Sequence, residues 1–289
     1  MERELWPVLY RQLQLVAARV QQKYVRYSPW VIAAVLLWAA LHDRPIRWAC
    51  DSRNWSTTRL RPGRLPDQST VSRRLRRTAF GCFMNELTAH LRGVGLPGLV
   101  LTADGKPLLV GGYSKDPEAR VGWGAGQMAR GYKLHVIWGQ RPLPEAWAVT
   151  PLNTAETVVA RQLLGQLTGG GYIVSDGNFD ASPLYDAAAA RGYQWIAAQS
   201  DPNAGAGHHY QSPYRLRCIA LLATPFGRAL FAERPTIERQ FGNATSFGGG
   251  LAPLPAWVRR QHRVELWISA KLIINAVRIR RHREQGLAA

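Results

Sequence analysis

Between Gly98 and Ala198 the chain alternates short β-prone apolar runs with helical stretches, and this limits its fold more tightly than anything else in it. Gly98–Gly105 reads as a strand ending in Asp-Gly, with Lys106–Val110 as its hairpin partner, because Asp-Gly is a strong turn signal. Residues 111–130 are glycine-rich and polar, and read as a loop. Tyr132–Trp138, Ala146–Val149, Tyr172–Ser175 and Gln194–Ala198 supply further strands. Thr154–Leu167, capped by Asn153 or Thr154, and Ser182–Arg191 supply helices between them. An antiparallel meander that passes into crossover helices implies a mixed α/β sheet with flanking helices.

Two acids occupy equivalent places in that pattern. Asp104 ends one strand and Asp176, in "YIVSDGNFD", ends another, each followed by glycine. Taken singly, each is a turn. Taken together on neighbouring strands, they meet at one end of the sheet. Like charges that close repel and call for a cation between them, and oxygen donors suit Mg²⁺ or Mn²⁺. A third acid, Glu238, lies beside the apolar pair Ile237 and Phe241, with Arg234 four residues before it. Arg234 and Glu238 make an ordinary helical ion pair, or a pair suited to a metal and a phosphate. Three rival acids rank lower. Asp180 precedes a helix and reads as its cap or first-turn acid, Asp116 falls in the loop, and Glu233 lies about 140° around a continuous helix from Glu238.

The charge is +18, from 37 Lys and Arg against 19 Asp and Glu, which exceeds what solubility requires and points to a polyanion. Residues 1–94 read as an all-helical basic region, and 95–289 as the sheet-bearing region with its C-terminal helices. Ser28-Pro29 starts one helix, which runs through Leu41, and Asp43-Arg44-Pro45 starts another. From Asp43 to Arg77 there are ten arginines and three acids. Arg73, Arg74, Arg76 and Arg77 lie off the Val71/Leu75 stripe of a short helix that opens with Gln68, Ser69 and Thr70. Helix, turn and arginine-rich helix suit a helix-turn-helix DNA reader; the plainer reading is a solvated arginine face. Arg120 and Arg130 flank the loop as phosphate-gripping candidates. Trp123 stacks on a splayed base or pins the loop to the core. Arg278, Arg280, Arg281 and Arg283 form a DNA clamp or a solvated tail.

Other classes are disfavoured. Cys50, Cys82 and Cys218 are scattered without a CxxC, which suggests neither zinc nor disulfides and fits a reduced, cytoplasmic protein. The N-terminus lacks a signal-peptide core. The longest apolar run, Trp30–Leu41, has 12 residues and is too short to span a bilayer. No P-loop is present, so no nucleotide cofactor is implied. His208-His209 reads as a surface pair in a loop.

The segments "LTADGKP", "YIVSDGNFD" and "FAERPTIERQFG", in that order, resemble the DDE transposases of bacterial insertion sequences. The resemblance covers roughly residues 28–283, including the closing "VELWISAKLIINAVRIRRHR". It implies an RNase H-like fold and Asp104, Asp176 and Glu238 as catalytic, metal-binding acids. It further implies two Mg²⁺ ions, with Mn²⁺ able to substitute, and cutting and joining of double-stranded DNA at the element's ends. A homodimer in the DNA complex and association with the nucleoid follow as expectations. One large subgroup carries Tyr-x2-Arg-x3-Glu-x6-Lys around the third acid. Here Arg234 and Glu238 match, while Phe231 stands for the tyrosine and Thr245 for the lysine. The family's lysine holds DNA phosphate, so Lys271 or Arg239 are the candidates to replace it. Two alternatives remain open: a catalytically inactive DNA-binding protein derived from a transposase, and a stand-alone RNase H-like nuclease.

Overall fold

The computed structural model describes residues 2–20, 25–56, 58–93, 97–201, 210–247, 250–251 and 254–286. They belong to two compact units. The first is Met1–Val94 with Ala244–Val258 and Leu266–Ala289; the second is Gly95–Asn243 with Arg259–Glu265. Sequence had assigned every residue beyond 94 to a single region, whereas the first unit draws in segments from well beyond it.

The first unit holds α1 (Glu2–Arg19), α2 (Pro29–Leu41), α3 (Ile46–Ala49), α4 (Gln68–Arg74) and α5 (Thr78–Arg92), with most of α11 (Gln261–Gly286). The longest apolar run is α2, a core helix whose residues are all buried except Trp30. Proline in its first turn costs no hydrogen bond; Ser28 sits at the N-cap without a side-chain bond. Trp6 and Trp55 pack on Trp38, each with its ring centre 4.8 or 5.5 Å from a neighbouring indole. Their indole N–H groups donate to the carbonyls of Leu60, Ala49 and, from Trp38, Asn54. Burial of the rings therefore leaves none of these donors unpaired. The helix read as one piece up to Arg77 stops at Arg74, and α5 begins at Thr78.

The second unit is a six-stranded mixed sheet in the order β2-β3-β1-β5-β6, with β4 also paired to β3. Its strands are β1 (Val100–Leu109), β2 (Arg120–Gly124), β3 (Gln127–Trp138), β4 (Ala146–Pro151), β5 (Gly171–Ser175) and β6 (Tyr193–Ala197). The β1–β3, β2–β3 and β3–β4 pairs are antiparallel, whereas β1–β5 and β5–β6 are parallel. The parallel pairs are joined through α6 (Glu156–Leu164) and α7 (Ser182–Ala189), as parallel strands require. Leu101, Ile173, Trp195 and Ile196 of the strands pack with Val159, Leu163, Leu184 and Tyr185 of these helices. Helices α8 (Pro213–Leu222), α9 (Pro225–Phe231) and α10 (Thr236–Thr245) follow, and Pro235 separates the last two.

Three local expectations are corrected. Asp104-Gly105 is no turn, since β1 runs straight through it for ten residues. Gly105 serves packing: a Cβ there would meet Glu156 Oε1 at 2.6 Å and Lys133 Cδ at 2.9 Å. Residues 111–130 are not all loop, because β2 and the start of β3 form a hairpin within them. Its turn residues, Ala125 and Gly126, have φ of 54° and 78°, as a two-residue hairpin turn demands. Finally, α6 starts at Glu156 behind Ala155, so neither Asn153 nor Thr154 caps it. Among the described residues, no helix is long and apolar enough to cross a membrane.

Candidate active site

The parallel register of β1 and β5 pairs Val100 with Tyr172, Leu101 with Ile173 and Thr102 with Val174. Continued two residues further, it sets Asp104 level with Asp176. Alternation puts Thr102, Asp104 and Lys106 on one face of β1. That face carries α10: Thr102 Oγ1 lies 3.4 Å from Gln240 Oε1, and Lys106 Nζ lies 5.4 Å from the centre of the Phe241 ring. Gln240 also donates to the Gly139 carbonyl at 2.7 Å, and Phe241 meets Trp138 edge-on. Glu238 belongs to the helix docked in this way. Arg234, just before that helix, forms an ion pair with Glu238 and lies 3.9 Å from Asp176 Oδ2. One guanidinium thus links two of the three acids.

The acids differ in how they are held. Asp176 opens a short 3-10 turn, Gly177–Phe179, and accepts from the Asn178 backbone N–H at 3.0 Å and its side-chain amide at 3.3 Å. It therefore forms a turn and also faces the cavity described below. Behind it, Ser175 Oγ accepts from Trp195 Nε1 at 2.8 Å, which fixes the end of β5 from the opposite face. Asp104 accepts a single hydrogen bond among the described residues, from the N–H of Gly105. Its carboxyl is pushed up to about 6, first by burial and then by the charges of Asp176 and Glu156. The Gly105 N–H and Arg234 oppose that rise without cancelling it.

A cavity of about 670 Å³ opens at this end of the sheet, lined by Asp104, Asp176, Asn178, Lys133, Glu156 and the hairpin's Trp123 among others. Lys133 Nζ donates to Glu156 Oε1 at 2.8 Å, and both side chains are largely buried. Sequence reasoning missed this pair. Its only signals were an acid in the first turn of a helix and a lysine inside an apolar strand, and neither stands out. His135, two residues beyond Lys133, is buried; its Nε2 lies 2.9 Å from Thr150 Oγ1. Burial, aided by the charge of Lys133, pulls it down to about 4, so it is neutral at pH 7.

Two of the rival acids, Asp180 and Asp116, are built into the fold, whereas Glu233 is exposed. Asp180 is no cap; Ala181 holds that position for α7. Its carboxylate takes two bonds from Arg215, at 2.6 and 2.7 Å, one from Tyr185 at 3.2 Å and one from the Ser200 N–H at 3.1 Å. Burial pushes its pKa up, and these donors outweigh burial and hold it below the usual range. Asp116 is buried and accepts from Tyr132 and from the Arg260 and Glu118 N–H groups. Glu233 accepts from Thr236 Oγ1 at 3.1 Å.

The remaining candidates divide. Arg120 and Arg130 are exposed on β2 and β3, Arg130 donating to the Ser114 carbonyl at 3.2 Å. Arg239 is exposed and donates to Thr236 Oγ1 at 2.7 Å. Lys271 cannot serve as the replacement phosphate holder in this conformation. It is 1% exposed, and its ammonium donates to Asp43 and to the Ala40 carbonyl. Phe231 ends α9 against the sheet's core, and Thr245 ends α10. In the first unit, Arg26, Arg73, Arg74 and Arg77 line a cavity of about 400 Å³, whereas Arg76 does not. Arg74 already donates to the Tyr27 carbonyl. Ser69 and Thr70 are turned onto Asp67, which caps α4, so their hydroxyls are engaged within the helix start. Arg280 and Arg281 reach the His90 carbonyl and Glu4, and Arg278 lies over Phe247, so these three pack on their own unit. His208 and His209 lie outside the described residues. Among the described residues, no three His, Cys, Asp or Glu side chains are gathered closely enough to hold a metal ion. What the site supplies is the Asp104–Asp176 pair, with Glu238 tied to it through Arg234.

The family model of the transposase DDE domain matches residues 96–275. Among curated proteins, none matches. Among solved structures, a piggyBac transposase in a synaptic complex with hairpin DNA, seen by cryo-EM, is similar with a TM-score of 0.35 and 12% identity. The match covers 70% of this chain and 49% of that one, so the chain spans about half the length of that protein.

Proposed function

The chain belongs to the transposase DDE domain family, and from that premise we propose that it cuts DNA and joins the cut ends by phosphoryl transfer at Asp104, Asp176 and Glu238. The observation that carries this reading is Asp104: a mostly buried carboxyl with one hydrogen-bond donor, facing a second carboxylate across two parallel strands. A site of this kind is short of positive charge. Its donors are all carboxylate oxygens, which suit a hard divalent ion such as Mg²⁺ or Mn²⁺. Asp104, Asp176 and Glu238 are the residues that would hold such ions, and the ions would supply a nucleophile activated at neutral pH and charge to stabilise the leaving oxygen.

The chain's own residues do the rest. Asp104 acts in its ionised form, which its raised pKa still allows at pH 7. Asn178 orients Asp176, and Arg234 keeps Glu238 beside it. Arg234, which sits against both Asp176 and Glu238, would bind a phosphate oxygen in the two-pronged manner favoured by guanidinium groups. No side-chain nucleophile is required, because water and a DNA 3′-hydroxyl act in turn at the same acids. The arginine-lined cavity of the first unit takes the phosphate backbone of double-stranded DNA, and two DNA ends call for two copies of the chain.

A second reading, an inactive DNA-binding descendant, draws support from Thr245 in the lysine position and from the burial of Lys271. One experiment separates the two. Plasmid carrying the element's flanking DNA is incubated with Mn²⁺ and either wild type or Asp176→Ala. Cuts at the element ends that vanish in the variant support the enzyme. A folded, DNA-binding wild type that makes no cuts leaves the inactive reading.

A further inference from the structure

The hairpin of β2 and β3 presents three large apolar side chains to solvent, all on one face. Trp123 is 66% exposed, Met128 63% and Val121 52%. Directly opposed residues in an antiparallel pair share a face. Trp123 pairs with Met128, and Val121 pairs with the exposed Arg130. The face is therefore an indole and a thioether beside a guanidinium.

The opposite face of β2 explains why the hairpin does not fold this surface away. Gly122 and Gly124 lie there, against the chain between β4 and α6. A Cβ on Gly122 would come within 2.8 Å of the backbone of Leu152 and Asn153, and one on Gly124 within 3.0 Å of Pro107. At Gly122 the backbones meet too closely for any side chain, and at Gly124 a Cβ would press on Pro107 and the Leu152 side chain. That face of the hairpin is closed by the chain, and Trp123 on the other face points out.

Position gives the surface its meaning. Val121, Trp123 and Met128 line the same cavity as Asp104 and Asp176. Apolar groups at the rim of an acidic cavity have no reason to bind a phosphate, but a nucleotide has two parts. Its phosphodiester suits the acids together with their cations. Its base is a flat π surface that suits an exposed indole, and Arg130 on the same face adds charge complementary to the neighbouring backbone.

We propose that the hairpin face formed by Trp123 and Met128 is a stacking platform for an unpaired nucleobase next to the phosphodiester held at the acids. This rests on the reading of Asp104, Asp176 and Glu238 as the strand-cutting site, and it assigns that site a preference for locally unpaired DNA. Stacking is worth about 1–3 kcal/mol per base, or roughly 5- to 150-fold in affinity.

The test compares two DNA probes with the same end sequence, one fully paired and one with four mismatched positions at the cut. Binding is measured at fixed salt for wild type, Trp123→Ala and Trp123→Phe. The expected result is a loss of at least about five-fold for Trp123→Ala on the mismatched probe only. Trp123→Phe should recover most of it, and binding of the paired probe should stay within about two-fold. Equal affinities for wild type and Trp123→Ala on the mismatched probe overturn the platform. So does an equal loss on both probes, which marks a general support of DNA docking. Because Trp123 is exposed, all variants should melt with wild type. As a second readout, 5-iodouracil at the mismatched positions should photo-crosslink to the hairpin; crosslinks only elsewhere count against the proposal. Wild type that cuts paired ends with Mg²⁺ while the platform tests fail leaves the catalytic reading standing. Wild type that binds neither probe brings down both.

Discussion

Asp104 and Asp180 lie in the same unit, one within a strand and one just past the end of another, and both are largely removed from water. Asp180 collects donors: two bonds from Arg215, one from a tyrosine and one from a backbone N–H. Asp104 has one donor, its neighbour's N–H, and a second carboxylate in front of it. Their pKa values move in opposite directions accordingly. A buried acid that the fold has fully partnered holds structure together. A buried acid left short of donors is a cost to the fold, and it makes sense where something from outside brings the missing charge.

That contrast is most easily broken at Asp104 and Asp176. Asp104→Asn and Asp176→Ala should each reduce cleavage of end DNA by at least about a thousand-fold, with duplex binding in metal-free buffer retained. Asp104→Asn should also melt above wild type at pH 7. The sign follows from linkage. The folded pKa of about 6 lies above the unfolded value, so the folded state binds the extra proton and stability falls as pH rises between about 4 and 6. Removing the charge relieves that penalty by up to about 3 kcal/mol. A variant less stable than wild type would show that Asp104 is a structural acid after all.

Asp180→Asn should do the reverse. It leaves Arg215 with an uncharged partner, at a cost of about 2–3 kcal/mol in urea unfolding. Cleavage per folded molecule should stay within a few-fold of wild type, and a loss as large as that for Asp176→Ala would move Asp180 into the catalytic set. Between these extremes lies pH. Without metal, Asp104 should take up its proton near pH 6, and a divalent ion should compete with that proton, so the metal concentration needed for half-maximal cleavage should rise as pH falls below 6. A metal requirement that is the same at pH 5 and pH 7 would count against Asp104 as a ligand.

The smallest effect belongs to the arginines, where the same contrast appears with the charge reversed. Arg74 already donates within its own unit, whereas Arg73 and Arg77 line the cavity without such a bond to a distant carbonyl. Arg73→Ala with Arg77→Ala should make log K against log salt shallower by about 0.9 per lost phosphate contact. Arg74→Ala should change the slope less. Equal slopes for all three would show that this surface does not meet the backbone.

Much of the architecture was legible because it depends on local pattern. The apolar runs became strands, Ser28-Pro29 opened a helix, and the two acids fell at matching levels. The misreadings share one cause. Gly105 looked like a turn residue, but it is glycine because Lys133 and Glu156 lie where its Cβ would be. Gly122 and Gly124 looked like loop, but a Cβ on Gly122 would strike the Leu152–Asn153 backbone, and one on Gly124 would crowd Pro107 and the Leu152 side chain. Asp180 looked like a cap because its partner, Arg215, is 35 positions away. Lys271 looked available because Asp43, which binds it, is 228 positions away. A residue chosen by a distant neighbour carries no local signature, and Glu156 escaped notice for the same reason.

The first unit, finally, is assembled from stretches on both sides of the sheet in the chain, Met1–Val94 ahead of it and Leu266–Ala289 behind it. During synthesis, α1 to α5 emerge first and must wait. Lys271, which ties to Asp43, and Arg281, which ties to Glu4, leave the ribosome only after every residue of the acid-bearing sheet. A nascent or truncated chain ending near residue 94 therefore lacks part of the core that holds its arginines in place. The order of translation therefore completes the acid-bearing unit before the helical one.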